Sequence, residues 1–156
     1  MFTKKQILIG LVVVFALFLP ATAAQARGLS SSEASLLKAM NGVRHSYGLP
    51  RLRVDYRLVH AARNHSSDMM QRQYFAHGSV LGRVTAARAR GPVFGEDLAW
   101  ASGLTAQWVV DAWLNSPPHR AVLLRRGFRR VGISIVFGTF IGHGDAGVVT
   151  ADFAGR

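Results

Sequence analysis

Six histidines, eight acidic side chains and no cysteine set the chemistry open to this 156-residue chain. Imidazole and carboxylate, not thiolate, must carry any metal ligation or proton transfer. Glu96 and Asp97 stand side by side in the apolar run Val93 to Ala101, an unusual place for a carboxylate. Ser116 lies three residues before His119, which invites a hydroxyl–imidazole reading. Against it, no glycine-flanked sharp turn presents Ser116 as a nucleophile, and the run Asn115 to Pro118 reads better as a helix end followed by a rigid turn. His60 and His65 are five positions apart, about 140° around a helix, so they cannot share a ligand. His65 reads as a helix-packing residue. His45 and His143 read as surface or loop residues, although glycine-flanked His143 could approach a cleft. Trp100, Trp108 and Trp113 read as core rather than as a ligand platform.

The elements that must position these groups follow from spacing and punctuation. Ser32 and Glu33 open a pattern with Leu36, Leu37, Met40 and Val43 at helical spacing, which Gly48, Leu49 and Pro50 stop. Asp55 can cap a second helix with Leu58, Ala61 or Ala62, His65 and Met69 inward, finishing near Gln73. Tyr74 to Ser79 is a loop, and a short helical piece spans Arg83 to Ala89. Val93 to Ala101 is a buried strand, with Asp97 on the face opposite Glu96. Thr105 can cap a third helix with Trp108, Val109, Ala112 and Trp113 inward, and His119 to Leu124 adds a helical turn. Arg130 to Phe137 and Gly147 to Phe153 are strand candidates around a loop with Gly142, His143 and Gly144. Helices first and strands last, with helices between, predict an α+β domain in layers.

The N-terminus reads as a signal peptide over residues 1–26: Lys4 and Lys5, an apolar stretch from Ile7 to Leu19, then Ala24 and Ala26 in an Ala-x-Ala exit. The apolar stretch falls short of the roughly 20 residues a helix needs to cross a bilayer. Cleavage would leave no transmembrane anchor, and with no cysteine after the tract there is no lipoprotein attachment. Roughly 130 residues would remain, the size of one domain, probed by no disulfide. Residues 27–34 form a short polar lead and 35–154 the domain. The expected location is extracytoplasmic, secreted or periplasmic. Removing Lys4 and Lys5 from 19 basic side chains still leaves a large excess over 8 acidic ones, nearly all of it arginine. Such a surface is attracted to polyanions, here anionic envelope components or lipids, and export excludes nucleic acid as the expected partner.

An ordered set of segments resembles the CAP (SCP-like) family along nearly the whole mature chain. They are Asn41 to Arg44 with Gly48, Leu49 and Pro50; Val54 and Asp55; the helix bearing Ala61, Ala62, His65, Asp68 and Met69; and Tyr74 to His77. Gly95 to Ala99, Ala112 to Arg120, Val131 to Ile133, and Asp152 with Phe153 complete the set. The resemblance implies a single-domain α/β/α sandwich, expected to be a monomer, with a cleft into which His77, His119 and Glu96 project. These three would meet the ligand count of a zinc site. The second glutamate of many eukaryotic members is absent, since the comparable stretch reads Leu114, Asn115, Ser116, and Asp97 stands where asparagine is common. The resemblance implies a binding module for a divalent metal, a lipid or an envelope component. The alternative is a hydrolase, either metal-dependent or with Ser116 as nucleophile, His119 as base and Glu96 as orienter.

Overall fold

A computed structural model describes residues 28–155, so the signal segment expected at 1–26 lies outside the described residues. The chain enters through α1 (Ser31–Ser46), whose start is a capping box: the Ser30 hydroxyl accepts from the Glu33 amide, and Glu33 accepts from the Ser30 amide. The helix therefore begins inside the segment expected as a polar lead. Its buried stripe is Glu33, Leu36, Met40, Asn41 and Arg44, and Gly48 ends it with a φ of +63°.

After β1 (Arg53–Val54), Asp55 caps α2 (Tyr56–Arg72), which buries Leu58, Val59, Ala61, Ala62, His65, Ser66 and Met69. A loop leads to α3 (Val80–Ala86), which begins three residues before the expected Arg83 because Ser79 caps it through the Gly82 amide. β2 (Val93–Ser102) precedes α4 (Ala106–Asn115), capped by Thr105, and α5 (Pro117–Leu123), with prolines in its first two positions where no amide hydrogen is needed. β3 (Phe128–Phe140) and β4 (His143–Gly155) form one long hairpin.

The four strands lie in the order β1-β3-β4-β2, with β1 parallel to β3 and the other pairs antiparallel. One face carries Ala99, Val131, Ile133, Val149, Ala151 and Phe153, packed against Leu36 and Met40 of α1, Val109, Val110 and Trp113 of α4, and Leu123 of α5. The other face packs on α2 and α3 through Leu58, Ala61, Met69 and Val84. Gly132 makes this second contact possible. A Cβ there would lie 2.0 Å from the Leu58 carbonyl carbon and 2.1 Å from the Val59 nitrogen, so α2 rests on bare backbone of β3. The domain is α+β, an α/β/α sandwich.

Two expectations need correction. Both closing strands are longer than the sequence suggests, and His143 is a strand residue paired with Phe140; the connection is only Ile141 and Gly142, both in left-handed conformation. Trp108 is not core: it is 45% exposed, while Val109, Val110 and Trp113 carry the buried stripe of α4 and the Trp113 indole donates to the Leu98 carbonyl at 2.8 Å.

Candidate functional site

Glu96 sits mid-strand on β2, 6% exposed, with its side chain toward α2 and α3. Three cationic or potentially cationic groups from three different segments converge on it. His77, from the loop between α2 and α3, places Nδ1 2.7 Å from Oε1. Arg83 of α3 donates from Nη2 to Oε2 and from Nη1 to the His77 carbonyl at 2.6 Å, so one guanidinium ties the carboxylate to the loop. His65 of α2 lies 3.8 Å from Oε2 through Nε2. That same nitrogen is 3.0 Å from the Ala76 carbonyl, which can only accept, so Nε2 carries the proton. His65 thus packs in the helix interface as expected and also holds the His77 loop from beneath.

Burial, and secondarily the Arg83 charge, lowers the His65 pKa to about 4, keeping it neutral. The same causes lower His77, whose ring remains half exposed. Burial raises Glu96 to about 7 against the opposing pull of Arg83. Directly across the ladder, Asp152 of β4 is the register partner of Glu96, fully buried, with no donor from another residue on either oxygen and a hydrogen bond to Glu96 open to it when one of the two carboxyls holds a proton. Burial and then the Glu96 charge raise it to about 8. Asp97 points to the opposite face, equally buried and unpartnered, and burial raises it to about 8.

His119 is the third residue of α5. Its Nδ1 is 2.8 Å from Ser116 Oγ. Ser116 is the N-cap of α5 yet makes no capping bond: Pro118 removes the N2 amide hydrogen, and the hydroxyl turns to the His119 imidazole instead of to the His119 amide. Burial lowers the His119 pKa, and the charge of nearby His77 lowers it further.

The fold therefore brings His77 and Glu96 into contact and sets His119 within electrostatic range of His77. No hydrogen bond joins His119 to Glu96 among the described residues. Among them, too, no group of three or more His, Cys, Asp or Glu side chains is arranged to hold a metal ion. Both Glu96 oxygens are committed, one to an imidazole and one to a guanidinium that would repel a cation. The donor set His77, Glu96, His119 does not fit a three-ligand zinc centre; two imidazoles with free Nε2 positions remain. Arg83, the site role of His65, and Asp152 escape sequence reasoning. The one signal for Asp152 is its place in the closing Asp152–Phe153 motif, to which spacing assigns no role.

The model of the CAP family (Cysteine-rich secretory protein family) matches residues 37–152. This chain belongs to the CAP family. The chain is 30% identical over 111 residues to the uncharacterized membrane protein YlbC of Bacillus subtilis (strain 168), covering 68% of this chain and 32% of that protein. It is 31% identical over 113 residues to the uncharacterized protein YkwD of the same organism, covering 69% of this chain and 44% of that one. The chain thus spans less than half the length of either curated relative. Among solved structures, an extracellular protein containing a SCP domain from Bacillus anthracis str. Ames is similar at 25% identity and a TM-score of 0.66, over 80% of this chain and 40% of that one. Among the described residues of this CAP domain, no helix is long and apolar enough to cross a membrane.

Proposed function

We propose that this CAP domain is an extracytoplasmic binding module whose cleft presents the imidazoles of His77 and His119 to a metal ion or small ligand. The observation that carries the reading is the 2.7 Å contact between His77 Nδ1 and Glu96. A histidine ligand ordinarily donates its second ring nitrogen to a carboxylate or other acceptor, which sets the tautomer and leaves Nε2 free. His77 has that arrangement, and His119 has it in the tautomer that donates from Nδ1 to Ser116. Glu96 then orients a donor instead of ligating, with Arg83 holding the carboxylate in place. A divalent ion, zinc first, would be held by the two Nε2 atoms. Phe75 in the His77 loop and Leu81 in α3 are 40% and 65% exposed and would offer apolar contact to an organic ligand.

Export behind residues 1–26 places the module outside the cytoplasm, which the extracellular B. anthracis relative supports. Isothermal titration of zinc into the purified protein, beside a His77→Ala/His119→Ala variant that remains folded, tests the reading. Binding lost in the variant upholds it; zinc binding equal in both, or absent from both, removes the metal part.

A hydrolase reading retains one observation, the 2.8 Å approach of Ser116 Oγ to His119 Nδ1. It lacks an orienter, since Glu96 is bonded to His77 and Arg83 rather than to His119. The metal-assisted version lacks a free carboxylate base for the same reason. A phosphonate serine probe that labels the wild type but not Ser116→Ala would support the hydrolase, and no labelling would end it.

A further inference from the structure

At the sheet edge farthest from Glu96, α1, the segment before β1 and the start of β3 enclose an open pocket of about 1130 Å³. Lys38, Arg51, Arg53, Arg129 and Arg130 line it, and no acidic side chain does. Only Arg130 is paired, with Asp55 at 2.7 Å; the other four form no ion pair among the described residues. Arg53 and Arg130 are register partners on β1 and β3, so two guanidinium-bearing residues stand directly opposite one another. Three further cations, Lys38, Arg51 and Arg129, line the pocket beside them.

The backbone beneath these cations is clamped. Asn41, 6% exposed, bonds both the amide and the carbonyl of Leu52 at 2.7 and 3.1 Å. Arg44, fully buried, donates to the carbonyls of Pro50, Leu123, Arg125 and Phe128. Arg51 and Arg53 therefore rise from fixed main chain, so a ligand orders their side chains but not the backbone that carries them, and Arg129 is already held by its Nη1 bonds to the Arg126 and Phe128 carbonyls.

We infer that this pocket binds a phosphate-ester polyanion, of the poly(glycerol phosphate) kind, by bidentate contacts from its arginines. A concave site suits a polymer segment better than a flat bilayer. None of the exposed large apolar side chains, Trp108, Phe137 and Ile141 among them, lines the pocket, so the apolar anchor of an interfacial membrane site is missing beside the charges. The choice of polymer rests on the extracytoplasmic reading above; the pocket itself rests on geometry and is separate from the His77 cleft.

The experiment is calorimetric titration of poly(glycerol phosphate) into the purified protein at fixed salt, with three variants. Arg51→Gln/Arg53→Gln is expected to weaken binding about ten-fold or more, while Arg72→Gln/Arg88→Gln, which removes equal charge outside the pocket, changes it less than about two-fold. His77→Ala/His119→Ala should leave polymer binding intact, and Arg51→Gln/Arg53→Gln should leave zinc binding intact, so each site fails independently. Equal weakening by the two arginine pairs would overturn the proposal in favour of diffuse attraction. Absence of binding, or loss in the histidine variant, would overturn it too. So would binding to phosphatidylglycerol vesicles that exceeds polymer binding, since the occupant would then be a membrane.

Discussion

Asp97→Asn should make the domain more stable at neutral and alkaline pH, and by an amount that grows with pH. Asp97 is fully buried, neither oxygen has a hydrogen-bond partner, and burial raises its pKa from 3.8 to about 8. Below the unfolded pKa both states hold the proton and nothing changes with pH. Between the two pKa values the folded state holds one proton more than the unfolded state, so stability falls as pH rises, by about 1.4 kcal/mol per unit for this one group. From pH 5 to 8 the loss is about 4 kcal/mol, and above the folded pKa it levels off. Asparagine is nearly isosteric and never ionises. Below about pH 4, where the folded and unfolded carboxyl are both protonated, the two proteins should agree within about 1 kcal/mol, since each buries a neutral, unpartnered group, and by pH 5 the difference has opened by roughly 1.6 kcal/mol. Urea unfolding at pH 5, 6, 7 and 8, with the variant-minus-wild-type difference plotted against pH, reads the effect directly. Parallel curves for the two proteins would refute the argument, for they would mean that Asp97 is ionised in the fold throughout.

Arg44→Met removes the donor to four backbone carbonyls and should cost about 3–5 kcal/mol in urea unfolding, since those acceptors are left buried. Gly132→Ala forces a methyl to within 2.1 Å of the α2 backbone and should cost about 3 kcal/mol, read as a fall in Tm. Glu96→Gln should weaken zinc binding about 10-fold to 100-fold through the His77 tautomer while Nε2 remains present. Because burial lowers both His77 and His119, imidazole protonation should weaken zinc binding only below the ordinary histidine value of about 6.5; affinity unchanged down to pH 5 would contradict this.

Local signals carried much of the fold. Asp55 and Thr105 cap helices where their side chains predict it, Gly48 stops α1, and Pro117 and Pro118 separate α4 from α5. What failed depends on partners distant in sequence. Gly138 pairs with Ala146 and Phe140 with His143, and between those pairs Thr139 on one strand and Gly144 and Asp145 on the other are carried as an irregularity, Asp145 at a φ of +50°, so the hairpin runs on through residues with loop chemistry. Trp108 shares a helical face with Ala112, but the buried stripe turns toward Val110, leaving the indole at its margin. The site was legible only as far as family resemblance named His77, Glu96 and His119. Nothing in the spacing foretells that Arg83 would take a Glu96 oxygen, or that strand register would set Asp152 beside it.

The disposition of acid side chains explains why this domain's excess of base is more than a matter of composition. Glu33, Asp55, Asp68 and Glu96 each hold a specific arginine: Arg63, Arg130, Arg72 and Arg83. Asp97 and Asp152 are buried with pKa values raised to about 8, so they contribute little negative charge at neutral pH. Only Asp111 and Asp145 remain as exposed carboxylates without an ion pair among the described residues. Negative charge is thus spent in fixed structural contacts or withdrawn into the interior, and the surface arginines face outward nearly uncompensated. The same economy appears in the cleft, where Arg83 neutralises Glu96 from within and leaves His77 as the group that meets the outside.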